Sequence, residues 1–470
     1  MMVLARRIVF YLFVLVYLIA CPLTILSAFG YLVTPGTRRG FLKTGLIDIS
    51  TLPPGAAVYV GHRRYTQRTP TVLQELRPGA YPLRLMLKHH RSWTRTVRVE
   101  AEQATVLERI LLLPTTLTTR VVLADRYDQL LPVPETPFAL LKKGSRLRDV
   151  VIYNGANETA QSLLPPDDPL GESRMLSHVM VRGSSFVVLR VDTQDGERVL
   201  GVELPGLRPR VMDLTSLLPP KLLSIVWDPR APQRLFVLQR GGDLYRVDIA
   251  RRAIASQVLT GVRGVGAGQK SLYVLTDEGL FQRLDEDGRR LEVLFYEPDI
   301  GRSLFGLRGE FQITVLAKEL IFLLGERGEL VSARLPSRLA QEGVKGFEFD
   351  RRRERVLVWT KNKLGVVDCV VDCAAPPALR WIFDQGRDLE QAFWVYQGSH
   401  VLLRDRESLW LVESDAPGEP GAQPLGAVRE GSSAWYVEER GLLYALDPAT
   451  GRLMATTLLP KREPGALRQE

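Results

Sequence analysis

Six stretches of this chain read as the same object, a short apolar strand, a polar turn and a second strand. They are QRLFVLQRGGDLYRVDI from Gln233, KSLYVLTDEGLFQRLDE from Lys270, KELIFLLGERGELVSARL from Lys318, ERVLVWTKNKLGVVDCV from Glu354, SHVLLRDRESLWLVESD from Ser399 and SAWYVEERGLLYALDP from Ser433. Their equivalent apolar starts, Leu235, Leu272, Leu320, Val356, Val401 and Ala434, lie 37, 48, 36, 45 and 33 residues apart. A period scattered around forty is roughly the length of one four-stranded propeller blade. GSSFVVLRVDTQDGERVLGVEL from Gly183 is a further copy, and RVVLA from Arg120 begins or closes the ring. The repeat therefore predicts a mainly β chain, with a β-propeller of about seven blades over 115–460, six to eight being allowed. Two β-sandwiches in series would also give short strands and frequent turns. Similar hairpins at one spacing fit radial repetition better.

Composition narrows the rest. A chain of 470 residues with 45% hydrophobic and 24% charged residues buries a core, and it exceeds the usual size of one domain. Its three cysteines cannot staple a fold of this size, and none has the spacing of paired zinc knuckles. The net charge of +9 is uneven: Met1 to Thr115 hold 15 Lys/Arg against 5 Asp/Glu, leaving 47 against 48 for everything after.

From Ile8 to Val33 the chain runs 26 residues without a charge, preceded by Arg6 and Arg7 and followed by Arg38, Arg39 and Lys43. Length and flanks predict a single transmembrane helix over 8–33, with 1–7 a short cytoplasmic segment and 34–43 a linker. Pro22 removes a helix hydrogen bond, which such a span tolerates. Leu18, Ile19, Ala20 and Cys21 also fit the loose pattern for lipoprotein processing, which makes Cys21 an alternative lipidation site. The apolar run continues past Cys21, so a retained signal-anchor is the favoured reading. Charge counting nearly ties on orientation. The expectation is an N-terminus inside and the bulk of the chain extracytoplasmic, at the cell membrane.

Between Thr44 and Pro114 strand signals are dense. Tyr81, Leu83, Leu85 and Leu87 alternate with Arg84, Met86 and Lys88, and Val97 and Val99 alternate with Arg98 and Glu100, as half-buried strands require. Such strands with Pro/Gly turns predict a small antiparallel β-sandwich over 44–114. The residues Gly45, Ser50, Pro54, Gly55, Ala56, Val58, Tyr59, Thr69, Pro70, Leu76, Pro78, Gly79, Tyr81 and Trp93 give this segment its character. It resembles the PEGA domain, with Pro53-Pro54-Gly55-Ala56 standing where the family has its Pro-Glu-Gly-Ala tetrad. The resemblance implies a small β-sandwich of the cell envelope and carries over no catalytic residue. The glycines and prolines are read as turn formers and Trp93 as core.

Residues 44–114 carry 10 Lys/Arg against 5 Asp/Glu. Arg63, Arg64, Arg84, Lys88, Arg91 and Arg98 are the candidate contacts to an anionic surface, either lipid headgroups or wall polymers; a merely solvated face is the alternative. The last repeat, LLYALDPATGRL from Leu442, resembles the blade signature of quinoprotein-type propellers but has Met454 and Ala455 where that family has a tryptophan. It implies blade geometry and no quinone.

Chemical signatures are scarce. His62, His89, His90, His178 and His400 are scattered, and His89-His90 reads as a turn because neighbours on a strand face opposite ways. Gly264, Gly266 and Gly268 lack the rest of a dinucleotide fingerprint and read as a loop. The acidic runs Asp192 to Glu197 and Asp285 to Gly288 read as hairpin turns. Cys369 and Cys373 form a local disulfide or stay reduced. Arg351-Arg352-Arg353 lies between acids in a near-neutral region, so no nucleic acid partner is expected.

No metal or cofactor is expected. The sequence thus predicts a membrane-anchored envelope protein with a non-catalytic binding or scaffolding role, its propeller engaging an envelope protein or polysaccharide, and residues 461–470 a polar tail. The alternatives are a propeller hydrolase of envelope glycan or peptide, using carboxylates paired about 5 to 10 Å apart at the ring centre, and a sensor acting through a partner helix.

Overall fold

The computed structural model describes residues 2–28, 31–33, 41–180, 186–204, 209–219, 221–228, 230–231, 233–252, 257–285, 287–296, 309–316, 320–332, 340–350, 352–368, 379–414 and 421–458. The chain divides into two compact units, one containing Met1–Thr118 and the other running from Thr119 to Ser414 and on from Gly421.

The first unit opens with α1 (Met2–Ala28), which holds Pro22 in its interior. The expected span of 8–33 is not helical throughout. Tyr31–Val33 is a strand, β1, paired antiparallel with β2 (Phe41–Lys43) inside the expected linker. Among the described residues no helix is long and apolar enough to cross a membrane. Side chains of α1 are described without a break from Phe10 to Pro22. Nine of them, Phe10 to Phe13 and Leu15 to Ile19, are apolar and 56% to 70% exposed.

The strands β3 (Gly45–Leu52), β4 (Ala57–Val60), β5 (Arg63–Arg68), β6 (Thr71–Leu76), β7 (Gly79–Met86), β8 (Trp93–Val99) and β9 (Ala104–Leu111) form two sheets. One has the order β6-β3-β9 and the other β5-β4-β7-β8. The first is mixed rather than antiparallel, because β3 pairs antiparallel with β6 but parallel with β9. The chain leaves β3 for the other sheet and returns beside it as β9 in the same direction. Alternate residues meet between the sheets: Ile47 and Ile49 from β3, Leu83 and Leu85 from β7, and Trp93, Val97 and Val99 from β8 share one core. Gly55 takes a φ of +91° in the Pro53-Pro54 turn. The turn is tied down by the Thr69 hydroxyl, which accepts from the Ala56 amide at 2.9 Å and meets the Thr51 hydroxyl at 2.5 Å.

The second unit contains eight four-stranded sheets among the described residues. Seven follow the chain as simple meanders over 129–162, 174–213, 222–259, 262–296, 311–341, 344–383 and 391–427, here blades 1 to 7. Blade 8 is composite: Trp435–Val437, Leu442–Leu446 and Leu453–Thr457 take Thr118–Leu123, from the start of the unit, as their fourth strand. RVVLA therefore closes the ring, as one of its two predicted places. No sheet among them closes on itself as a barrel.

The period of two explains how the sheets stack. In the second strand of blade 3 (Arg234–Gln239), Leu235 and Val237 pack toward blade 2 while Phe236 and Leu238 pack toward blade 4. Blade 4 repeats this with Leu272 and Val274 against Tyr273 and Leu275, and blade 6 with Val356 and Val358 against Leu357. A strand buried on both faces reads as a continuous apolar run, the texture of FVVL, LFVL, LYVL and VLVW. Blade 8 completes the circuit, since Leu442, Tyr444 and Leu446 share a core with Leu130, Ala139, Leu141 and Tyr153 of blade 1. First strands of neighbouring sheets touch, Val262–Ala267 against Phe311–Val315 and Val344–Asp350 against Gln391–Val395, so they line the middle of a propeller-like arrangement.

Eight sheets are one more than the central expectation of seven and lie within the six to eight allowed. The additional blade, 129–162, escaped the repeat because its second and third strands, Phe138–Lys142 and Val150–Asn154, are separated by a loop containing the short 3₁₀ turn Leu147–Asp149 rather than by a tight turn. The copy at Ser433 begins one strand earlier than the others. Ala434 precedes a first strand, whereas Val401 lies in a second strand, and the residue matching it is Leu442, 41 positions on.

Candidate functional site

The outer face of the four-stranded sheet in the first unit is the strongest candidate. Alternation along β4 and β7 turns Val58, Leu83 and Leu85 inward and leaves Tyr59, Arg84 and Met86 outside. Tyr59 pairs directly with Arg64 on β5 and with Arg84 on β7. Both guanidinium groups lie against its ring, at 6.0 and 5.0 Å from the centroid. Such cation–π contacts hold the side chains extended over the sheet while their N–H groups stay in water. Arg68 pairs with Ala57 and shares the parity of Arg64, and Arg98 pairs with Ala80 and shares the parity of Arg84, so both extend the same face.

Acids are segregated from this array. The strands β4, β5, β7 and β8 carry Arg63, Arg64, Arg68, Arg84, Arg95 and Arg98 and no Asp or Glu. The five acids of the sandwich are elsewhere: Asp48 on β3, Glu75 on β6, Glu108 on β9, and Glu100 and Glu102 after β8. Of these, Glu100 lies 4.0 Å from Arg98 and Glu102 pairs with Lys43. One sheet therefore presents positive charge alone, a pattern that suits an extended anionic surface.

The six basic residues singled out from sequence divide. Arg64, Arg84 and Arg98 share the outer face. Arg63 faces the other way and lies 5.2 Å from the ring of Tyr65, which packs on the core. Lys88 is in the turn after β7, and Arg91 follows it, its amide donating to the Leu113 carbonyl at 2.7 Å. Arg68 was missed, although its four-residue spacing from Arg64 in a strand is the signal that assigns both to one side.

Residues 44–111 match the PEGA domain family. The PEGA domain accounts for the sandwich and not for the sheets that follow. No curated protein matches the chain. Among solved structures, the Cps50 (Swd1) β-propeller domain of Myceliophteria thermophila is similar at 13% identity, covering 73% of this chain and 98% of its own, with a TM-score of 0.39. YCF48 from Cyanidioschyzon merolae is 12% identical, covers 72% and 98%, and has a TM-score of 0.41. BamB from Moraxella catarrhalis is 12% identical, covers 73% and 100%, and has a TM-score of 0.42. The blade assignment rests on strand order and core packing in this chain.

Other sequence candidates fall into architecture. His89 takes a φ of +62° in the turn after β7, and the His90 ring contacts the Lys88 carbonyl at 2.8 Å. His400 is buried with its Nδ1 2.9 Å from the Ser399 hydroxyl and its ring edge-on to Tyr396. Among the described residues no group of three His, Cys, Asp or Glu is placed to hold a metal ion.

Gly264 and Gly266 are in the first strand of blade 4 rather than in a loop. A Cβ at either would come within 3.0 Å of the Phe311 or Ile313 backbone carbonyl, so these glycines let two inner strands approach. The acidic run at Asp192 is a two-residue hairpin turn, with Thr193 paired to Gly196. Asp285 accepts from the amides of Asp287 and Arg289 in another turn. Asp350 does the same for Arg352 and Arg353 and pairs with Arg355. Cys369 and Cys373 lie outside the described residues.

Proposed function

We propose that this chain is a membrane-anchored binding or scaffolding protein of the cell envelope, held by α1, with its PEGA domain and propeller on the extracytoplasmic side. The observation that carries the reading is the apolar surface of α1. Phe10 to Phe13 and Leu15 to Ile19 expose large side chains around the helix, a surface that soluble folds rarely leave in water. The charge-free sequence continues from Ile8 to Val33 around it. Thr24, inside that run, donates its hydroxyl to the Ala20 and Cys21 carbonyls, so its polar group is satisfied within the helix, as lipid demands.

The basic sheet face then has a partner nearby in chemistry. Arg64, Arg68, Arg84 and Arg98 lie against anionic phospholipid headgroups, an attraction that salt screens. The propeller supplies loops on a rigid frame for recognition of a protein or polysaccharide, and no reaction is assigned to it. Alkaline carbonate extraction of membranes from the producing cell tests the anchor. The full chain should stay in the pellet, and replacing Leu12, Leu15 and Ile19 with Asp should release it. Release of the unaltered chain at high pH would contradict the reading.

A further inference from the structure

Blades 8 and 1 leave an open cavity of about 420 Å³ between them, walled by the start of Gln129–Pro132, the end of Phe138–Lys142, Ser145 in the loop that follows, and Arg429 and Glu430 before the first strand of blade 8. That volume is within the usual range for small-molecule sites. We propose that this cavity binds a small oxyanion, a carboxylate or a phosphate group, on the ammonium of Lys142.

The argument is charge accounting within the cavity. Its two acids are already engaged: Asp128 accepts from Arg429 Nη2 at 3.0 Å, and Glu430 lies 3.1 Å from Arg406 Nε. Lys142 Nζ donates to the neutral amide oxygen of Gln129 at 3.2 Å and has no ion-pair partner among the described residues. Three ammonium donors therefore share one neutral acceptor in a partly desolvated place. Burial holds Lys142 below the usual lysine range even though the charge of Asp128 works the other way. His178, on the first strand of blade 2, is held below its ordinary value by burial and then by the charge of Lys142. Burial is the first cause of both displacements, and an oxyanion seated beside Lys142 would oppose both by favouring the charged forms. Ser145 also lines the cavity and carries a hydroxyl that can donate.

Neighbouring Lys143 provides the control. It does not line the cavity and is paired with Asp125 at 2.7 Å. The test uses the full chain in detergent with its lysines ¹³C-methylated, titrated separately with inorganic phosphate and with acetate. Saturable movement of the Lys142 resonance, with Lys143 unmoved, is the expected result, and the tighter of the two anions identifies the group. Calorimetric titration of Lys142→Gln should weaken binding about tenfold or more while Lys143→Gln keeps it, the scale of a lost charge-assisted hydrogen bond. Absence of saturation with both anions, equal movement of the two lysines, or unchanged affinity in Lys142→Gln would overturn the proposal.

Discussion

Glu158 and Arg120 meet where the ring closes. The Arg120 guanidinium, on the strand from the start of the unit, donates to the carboxylate of Glu158 in blade 1, and Arg440 and the Tyr444 hydroxyl of blade 8 reach the same oxygen at 3.3 and 3.1 Å. Arg440 also donates to the Gly155 carbonyl at 3.3 Å. Burial alone would raise the carboxyl, but the Arg120 hydrogen bond and the charges of Arg120 and Arg440 outweigh it and hold Glu158 below the usual glutamate range. Glu158→Gln should cost about 1–3 kcal/mol. Because the folded carboxyl titrates lower than the unfolded one, its contribution is full above the ordinary range, near pH 4.3, and fades as pH falls through the folded value. Denaturant unfolding of the wild type should therefore weaken more steeply on acidification than that of Glu158→Gln.

Gly266 tests the inner packing of the ring. A Cβ there would stand 2.8 Å from the Ile313 carbonyl oxygen and 2.6 Å from its Cγ2. Gly266→Ala should destabilise by about 1–3 kcal/mol, because backbone of the neighbouring blade has to move. Differential scanning calorimetry checks it, with a Tm equal to wild type as the contrary outcome.

Asp228 is fully buried between the first two strands of blade 3 and holds Arg230 at 2.7 Å and Arg234 at 3.4 Å. Asp228→Ala should cost about 1.5–3 kcal/mol, since it removes a buried carboxylate that accepts charge-assisted hydrogen bonds from two partly buried guanidinium groups. Asp228→Asn keeps the turn's acceptor and should cost less. Chemical denaturation of both variants gives the comparison.

The basic sheet face gives a prediction specific to lipid. With the full chain in vesicles and a fluorophore at Thr94→Cys, which pairs with Arg84 on the outer face, spin-labelled headgroups should quench strongly in anionic vesicles and weakly in neutral ones. Arg64→Glu with Arg84→Glu, or about 1 M salt, should abolish the difference. Equal quenching in both vesicle types would assign this face to some other anion, a wall polymer included.

Much of this was legible because the relevant signals are local. Period two placed Leu83, Leu85, Val97 and Val99 in the core, and the both-faces-buried runs LFVL, LYVL and VLVW marked second strands of blades. What failed depends on distance. The parallel pairing of β3 with β9 joins residues about sixty apart, and nothing local to Ile47 or Thr105 announces it. The blade at 129–162 hid behind an irregular loop, and the glycines at 264 and 266 looked like a loop because the neighbour that requires them, Ile313, is on another blade. The outer basic face is half legible: Arg64 and Arg84 stand out in the sequence, but their meeting over Tyr59 and the absence of any acid from the four strands of that sheet follow from sheet order alone. The cavity around Lys142 gave no signal, since its walls come from opposite ends of the unit.

Protease accessibility of the propeller in intact and opened cells tests the central claim most directly. With α1 in the membrane and the rest outside the cytosol, protease given access to the outer side of the inner membrane should digest the chain from about residue 44 onward while that membrane is still sealed. Protection of the propeller until the inner membrane is breached would contradict the account.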